Sequence, residues 1–353
     1  MNSNTVNSNT PHHCAPCWNK DNCGNEKTCF SKNETTIIKE QLGNKYRKIL
    51  QNCDEHPDKC ILQNMEMLGN EALFNQLRLK LKTPYPSEWK QKEDTWLNTI
   101  NIDEVLSRYE KPGSHFYLLG VSPKNWDTQI FGDMCITERM CKLNLHELYT
   151  NDIRYIGAVF NLDSHNQGGS HWNGLFADLT KGGIYFSDSY GTHPNESTVK
   201  LMNKIEEQGN ELILSGVIKY SDLDTIHHDT FTVISVIDEY SVEVNVNDTQ
   251  LVRYTPTLLN SDSSKIYTIH NINGNIIRFN EKLQIHDIET ITQFGFRKYY
   301  NNIRQQHGGS ECGVYSIYFI TQLLFGVPFS EFIKIPISDE EMIKQRKIFF
   351  DFK

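Results

Sequence analysis

Three short apolar segments in the middle of the chain limit the possible folds more than any other feature of the sequence. Segments 155–162, 175–179 and 183–188 are each too short for an ordinary buried helix, and only a loop at 163–170 and brief turns separate them. Short apolar runs bounded by turn residues are typical of buried strands. The pattern predicts a central sheet, and the apolar helix expected over 312–325 would pack against it.

The sequence from about 210 to 295 has a different character. Thr, Val, Ile and Tyr alternate there with polar residues, for example over 230–237 and 241–246, and Asn273-Gly274 is a turn signal. Alternation with a period of two predicts antiparallel strands with one buried face. We therefore predict an α+β fold with an antiparallel β insertion at 210–295 inside a domain of residues 89–353.

Residues 1–88 are predicted to form an N-terminal arm that is partly disordered and then helical. Its first 34 residues are polar, and apolar residues recur at helical spacing over 35–52 and 62–81. Pro84 and Pro86 then interrupt the pattern, which favours a boundary at this point.

Charge and hydropathy exclude two classes of partner at this level. The net charge is −9, from 35 basic and 44 acidic residues, and no basic stripe stands out, so we expect no nucleic-acid partner. No apolar run reaches the roughly 18 residues that a membrane helix needs, so we expect no membrane association. The polar N-terminus does not resemble a signal peptide, which favours a reducing compartment and makes a disulfide framework unexpected for the nine cysteines.

A cluster of cysteines and histidines in the arm has the residue types of a zinc site. Cys14, Cys17, Cys23 and Cys29 lie near His12 and His13, but the spacing of the second cysteine pair matches no common zinc pattern. We interpret the cluster as reduced cysteines in a loosely packed arm, and we predict neither a metal nor a cofactor.

Cys312 is the strongest candidate for a catalytic residue. Glycines precede it and the apolar helix follows it. A helix N-terminus favours a thiolate over a thiol, and glycines allow a substrate backbone to approach. Taken alone, a cysteine in such a position is more often a buried structural residue.

A thiolate nucleophile needs a base, and His171 lies between a Gly-Gly loop and a predicted strand. Asp188 ends the next strand, where it could orient an imidazole through Nδ1. Alone, His171 would be one of 13 histidines and Asp188 a polar strand end. The arrangement as a whole is more specific than its parts.

The chain contains His-Trp, then Asp-Ser, and then a Gln followed by Cys-Gly-x-Tyr. This order resembles the SUMO-protease and adenovirus-protease superfamily of cysteine peptidases. Asp188 follows His171 by 17 residues, Gln306 precedes Cys312 by six, and Trp96-Leu97-Asn98 resembles the start of that catalytic domain. The resemblance implies a SUMO-protease-like core, which is a circularly permuted papain-like fold, with His171, Asp188 and Cys312 as catalytic residues. It implies that Gln306 contributes to the oxyanion hole.

The resemblance also implies cleavage after small residues of the Gly-Gly type. Trp96, Trp172 and Gly313 are the candidate substrate-binding residues. The chain departs from the pattern between Asp188 and Gln306, where 118 residues replace the family's usual several tens. The β insertion accounts for this excess.

The segment from Trp96 to Leu106 and the cysteine-bearing arm are most similar to proteases of large DNA viruses, of the African swine fever virus and poxvirus core protease type. This implies an endopeptidase that processes viral structural polyproteins during virion maturation, in the virion and the host cytoplasm. Three alternatives stay open: an isopeptidase for SUMO or ubiquitin-like tags, an effector-type acetyltransferase with the same His-acid-Cys order, and a binding module with an inactive site.

Overall fold

The central sheet of the protein contains the three apolar segments as neighbouring strands. A computed structural model describes residues 12–15, 24–86, 89, 94–110, 113–218, 228–246, 257–259, 266–283 and 288–351. The strands outside the insertion are β1 (Thr83–Pro84), β2 (Phe116–Ser122), β3 (Gln129–Phe131), β4 (Met134–Cys135), β5 (Tyr155–Asn161), β6 (Trp172–Asp178), β7 (Gly183–Asp188), β14 (Arg297–Tyr300) and β15 (Phe350–Asp351).

The second group of strands lies in the insertion, and helices precede and follow it. These strands are β8 (His228–Asp238), β9 (Ser241–Val244), β10 (Thr257–Leu259), β11 (Ile269–Asn273), β12 (Ile276–Phe279) and β13 (Thr290–Phe294). The helices are α1 (Lys32–Leu42), α2 (Lys45–Gln51), α3 (Pro57–Glu66), α4 (Glu71–Arg78), α5 (Thr99–Ser107), α6 (Glu138–Cys141), α7 (Leu145–Thr150), α8 (Glu196–Leu214), α9 (Cys312–Leu324), α10 (Phe329–Phe332) and α11 (Asp339–Phe349).

The central sheet has the order β14-β7-β6-β5-β2 and is covered on both faces. Side chains from one face of β5 and β6, such as Val159 and Phe176, pack with α9, whereas Leu175 and Ala177 pack on the opposite side with α8. A sheet covered on both faces needs apolar residues at consecutive positions. This explains why these strands appear in the sequence as continuous apolar runs.

Helix α9 lies close to the central sheet because glycine occupies the contact point. A methyl group added to Gly174 of β6 would lie 2.8 Å from a ring carbon of Phe319. Most side chains of α9 are buried around its whole circumference, as expected for a helix enclosed within a domain. The predicted α+β fold is confirmed.

The insertion forms a separate sheet of order β10-β13-β8-β9-β12-β11, and it has its own apolar core. The start predicted at residue 210 is wrong, because α8 continues to Leu214. Asn210 lies in α8, outside the insertion, and its side chain accepts a hydrogen bond from the Phe296 amide at 2.9 Å. The strand expected at 251–254 lies outside the described residues.

The arm contains shorter helices than the sequence predicts. The helix expected over 35–52 is divided between α1 and α2 at Gly43, and that expected over 62–81 is replaced by α3 and α4 with Gly69 between them. Both glycines have positive φ angles, 49° and 72°, which end a right-handed helix and are favourable for glycine. The last element of the arm, strand β1, pairs in parallel with strand β15, which follows α11.

The expectation of reduced, unpaired cysteines is wrong for the described residues. Disulfides join Cys14 to Cys29, Cys53 to Cys60, and Cys135 to Cys141, whereas Cys312 is free. These pairs depend on how the fold positions the sulfur atoms, which the lack of a recognisable signal peptide does not reveal. Within the described parts of the chain, no helix is long and apolar enough to cross a membrane.

We expect the insertion and the central sheet to tolerate core damage differently. Phe231, buried in the core of the insertion, and Phe186, buried in β7 two residues before Asp188, are a matched pair. Phe231→Ala should unfold the insertion locally, because such a truncation costs about 3–5 kcal/mol, while hydrolysis of a short peptide continues. Phe186→Ala should abolish hydrolysis. Hydrogen exchange and peptide assays check this, and equal loss of activity in both variants would contradict an independent insertion.

Candidate active site

The register of two strands places His171 beside Asp188. Asn173 of β6 pairs with Asp188 at the end of β7, and His171 lies two residues earlier on the same face as Asn173. His171 Nε2 is 2.9 Å from Asp188 Oδ1. The contact therefore uses Nε2, and the expectation that Asp188 would meet Nδ1 is wrong.

Cys312 completes the arrangement on the other side of the imidazole. It is the first residue of α9, is buried, and is hydrogen-bonded to His171. Because Asp188 occupies Nε2, Nδ1 is the ring nitrogen left for the sulfur. The segment before β6, the end of β7 and the start of α9 thus bring His171, Asp188 and Cys312 together.

The Asp188 carboxylate is fixed by three donors. Besides His171, it accepts hydrogen bonds from the Tyr190 amide at 2.7 Å and the Thr192 hydroxyl at 2.6 Å. A carboxylate held by several donors does not rotate away. It can therefore orient the imidazole and stabilise its charged form.

The environment favours a protonated His171. Burial lowers the pKa of this imidazole, but its hydrogen bonds to Asp188 and Cys312 act in the opposite direction and together raise the pKa to about 9. At neutral pH the geometry therefore favours an imidazolium at His171, next to Cys312. The ring of Tyr190 stacks on His171 with centroids 4.5 Å apart, which limits rotation of the imidazole.

Gln306 lies beside the same strand end, fully buried. Its Oε1 accepts a hydrogen bond from the Ser189 hydroxyl at 2.7 Å, and its Nε2 donates to the Gly308 carbonyl at 3.0 Å. The second contact fixes which end of the amide is the donor, because a carbonyl oxygen can only accept. One N–H of Nε2 serves the Gly308 carbonyl, so the other is the hydrogen that an oxyanion would use.

The three candidate substrate-binding residues have different environments. Trp96 is 45% exposed and Trp172 is 6% exposed, and both line a groove of about 380 Å³ with the loop at 161–169. Trp172 Nε1 donates to the Leu97 carbonyl at 2.9 Å, which joins the two segments. Gly313 is instead buried, and a methyl group there would lie 2.9 Å from Leu97 Cβ, so packing explains this glycine.

Sequence reasoning missed the residues that position the site. Ser189, Tyr190 and Thr192 directly follow Asp188, and their proximity in the sequence was an available signal. Asp339, at the start of α11, accepts hydrogen bonds from the His307 and Gly308 amides with Oδ2, at 3.0 and 2.7 Å. No local pattern connects Asp339 to residues so far away in the chain.

The cysteine and histidine cluster of the arm is only partly assembled. His13, Cys14, Cys29 and Asp58 offer ligand atoms within 4.8 Å of one another. The disulfide between Cys14 and Cys29 removes both thiolates that a zinc ion would use. Cys17 and Cys23 lie outside the described residues.

Comparison with known proteins identifies the type of site. Residues 251–352, which include Gln306 and Cys312, match the model of the Ulp1 protease family, C-terminal catalytic domain. A protein of Acanthamoeba polyphaga mimivirus described as a thiol protease is 24% identical over 288 residues, which cover 80% of this chain and 67% of the relative. The chain is thus similar to Ulp1-type cysteine peptidases, and the family model covers its residues 251–352.

The viral resemblance is also confirmed, and the fold agrees with it. A cysteine protease of African swine fever virus, named a SUMO-1 cysteine protease, is 21% identical over 97% of this chain and 96% of its own length. The crystal structure of the African swine fever virus protease matches with a TM-score of 0.52 at 18% identity and covers 98% of both chains. At this identity the structural likeness shows the fold alone. These relatives leave the acetyltransferase alternative without support.

We expect the pH dependence of activity to report the imidazolium of His171. Its pKa is about 9 in the fold against an ordinary value of 6.5, so the protonated form is fully present below about pH 6.5 and is lost as pH rises through about 9. The descending limb of the pH profile of kcat/KM should therefore lie near pH 9. Asp188→Asn, which removes the stabilising negative charge, should move this limb toward lower pH while Asn still orients the ring. An unchanged limb in a folded Asp188→Asn variant would exclude this explanation.

Proposed function

We propose that the chain is an endopeptidase that uses Cys312 as nucleophile and cleaves after small residues of the Gly-Gly type. The observation that carries the proposal is the position of His171, which lies between Asp188 and Cys312. Cys312 is the first residue of α9. A nucleophile contacting a base that a third group orients is the geometric signature of nucleophilic catalysis. Its order and spacing match the superfamily resemblance.

The proposed reaction begins from a thiolate of Cys312 beside an imidazolium of His171. The sulfur attacks the scissile carbonyl, and the carbonyl oxygen becomes an oxyanion. The free N–H of Gln306 Nε2 and the backbone N–H of Cys312 are the proposed donors to it, since the first amides of a helix have no partner within the helix. Each such donor is worth roughly 3–4 kcal/mol in comparable sites.

His171 then acts as the general acid. It donates its proton to the leaving amine, and the acyl group remains on Cys312 as a thioester. The neutral imidazole next removes a proton from water, which attacks the thioester and releases the carboxylic acid product. Asp188 stabilises the imidazolium whenever it forms, which is why its three hydrogen bonds matter for turnover.

The groove beside Trp96 and Trp172 supports a preference for small residues. Trp172 is buried and fixed by its bond to the Leu97 carbonyl, so it cannot move aside for a larger side chain at low cost. Trp96 is half exposed and is proposed to cover the substrate from the opposite side. A passage between two indole rings would exclude branched side chains next to the scissile bond.

The relatives support a viral setting for this activity. We propose that the natural substrates are viral structural polyproteins, processed during virion maturation in the virion and the host cytoplasm. An isopeptidase is the second candidate, because one relative is named a SUMO-1 cysteine protease. Both reactions follow a Gly-Gly pair, so the catalytic residues do not distinguish them.

We expect purified protein to cleave a peptide with a Gly-Gly pair before the scissile bond at least about 100-fold faster than one with Leu-Leu at the same place. Exclusion of a branched residue from a rigid pocket is expected to cost several kcal/mol. Cys312→Ala should abolish cleavage and stay folded. Cleavage by a well-folded Cys312→Ala variant would refute the nucleophile assignment, whereas equal rates on both peptides would refute only the specificity.

A second substrate set separates the two candidate functions. A ubiquitin-like protein joined through Gly-Gly to a lysine side chain reports isopeptidase activity, and capsid-derived polypeptides with internal Gly-Gly sites report the proposed endopeptidase. We expect the polypeptides to be the better substrates by kcat/KM. A preference of ten-fold or more for the isopeptide would favour the alternative.

Trp96→Ala should widen the groove without disturbing Trp172. We expect it to reduce the discrimination between Gly and Ala before the scissile bond and to raise KM, because an exposed indole is removed from the substrate side only. Trp172→Phe is the comparison variant. It keeps an aromatic ring but loses the bond to Leu97, so it should lower the free energy of unfolding by about 1 kcal/mol and change specificity less. A larger change in specificity for Trp172→Phe than for Trp96→Ala would contradict these roles.

A further inference from the structure

A second buried ion pair lies directly beside Cys312. Glu311 precedes Cys312 and is 3% exposed, and Arg346 of α11 is 1% exposed. Arg346 Nε donates to Glu311 Oε2 at 2.7 Å, and Arg346 Nη2 donates to the Ser310 carbonyl at 3.3 Å. The ring of Trp89 lies over the guanidinium at 4.8 Å from its centroid. Two full charges are therefore removed from solvent next to the proposed nucleophile.

Helix capping does not explain the glutamate. Glu311 is the N-cap residue of α9, but its side chain makes no hydrogen bond to the first amides of the helix. It is turned instead toward Arg346 and the Ser310 hydroxyl, which donates to Glu311 Oε1 at 3.2 Å. Glutamate is also not among the residues that cap helices well. The side chain is thus engaged by Arg346 and Ser310 and not by the amides of the helix.

The charges that act on Cys312 come from several elements. His171, directly before β6, and Asp188 of β7 form the chain of contacts already described. Asp339 of α11 binds the backbone at His307 and Gly308. An unpaired carboxylate at position 311 would oppose a thiolate at position 312, and Arg346 is the cation that contacts this carboxylate.

We propose that Arg346 is a positioning residue of the active site, which neutralises Glu311 and fixes Ser310 so that Cys312 can carry a negative charge at the start of α9. The inference rests on the proposed role of Cys312 as nucleophile. Buried ion pairs are often replaceable by apolar residues without loss of stability. A functional role therefore has to be tested by a property that stability alone does not change.

The pH dependence of Cys312 alkylation by iodoacetamide is such a property. The reagent reacts with thiolate, and mass spectrometry of the peptide that contains Cys312 follows this residue alone. Arg346→Met leaves an uncompensated carboxylate, so the midpoint of the profile should rise by roughly one pH unit. Glu311→Gln leaves an uncompensated cation, so the midpoint should fall by a similar amount.

The double variant Glu311→Gln with Arg346→Met restores neutrality, and its midpoint should return close to that of the wild type. The double variant also tests the proposal if Arg346→Met alone fails to fold, because the double variant buries no unpaired charge. Its midpoint can then be compared with that of Glu311→Gln. Arg108→Met is the matched control. Arg108 is also buried, but its Nε donates to the Leu81 carbonyl in the arm, so the loss should lower stability without moving the midpoint.

Opposite shifts in the two single variants, cancelled in the double variant, would establish the role of Arg346. Equal midpoints in all folded variants would overturn it and leave the pair as a structural connection between α9 and α11. The alkylation assay requires no substrate, so this failure is distinct from failure of the proposed protease function. That function is tested separately by cleavage with Cys312→Ala.

Discussion

The hydrogen bond between Asp188 and His171 is the contact on which the rest of the active site depends. Asp188 is 1% exposed, and an ionised carboxylate at that depth is very unfavourable unless donors surround it. The imidazole, the Tyr190 amide and the Thr192 hydroxyl are those donors. Satisfying them together requires that β6, β7 and the turn after β7 keep a single register. Because the buried Asp188 carboxylate needs these hydrogen bonds, the same contacts also fix the position of His171.

The buried sheet gives this charge cluster a rigid base. Strands β5 and β6 are apolar on both faces, with α9 on one side and α8 on the other. Cys312 lies at the end of α9 nearest the polar strand ends, so close packing of the helix on Gly174 also determines where the sulfur lies. Packing therefore places Cys312, whereas hydrogen bonds place His171 and Asp188.

Much of this arrangement could be predicted from the sequence, for reasons that separate local from distant effects. The strands around His171 and Asp188 were visible because burial on both faces leaves continuous apolar runs, and α9 was visible for the same reason. The end of α8 could not be predicted, because Asn210 resembles a polar linker residue in the sequence. Its role depends on the hydrogen bond from Phe296, which is distant in the chain. The disulfides and the use of Nε2 rather than Nδ1 depend on side-chain positions that no periodicity encodes. The catalytic roles themselves remain proposals that the assays above address.

The segment from Gln306 to Glu311 shows why the C-terminal helix belongs to the active site. It has no regular secondary structure, so hydrogen bonds to other elements must determine its conformation. Ser189 binds the side chain of Gln306, Asp339 binds the amides of residues 307 and 308, and Arg346 binds Ser310 and Glu311. Two of these three partners lie on α11. The family match likewise includes both this segment and α11, within residues 251–352. Helix α11 therefore helps to determine the conformation of the whole segment between Gln306 and Cys312.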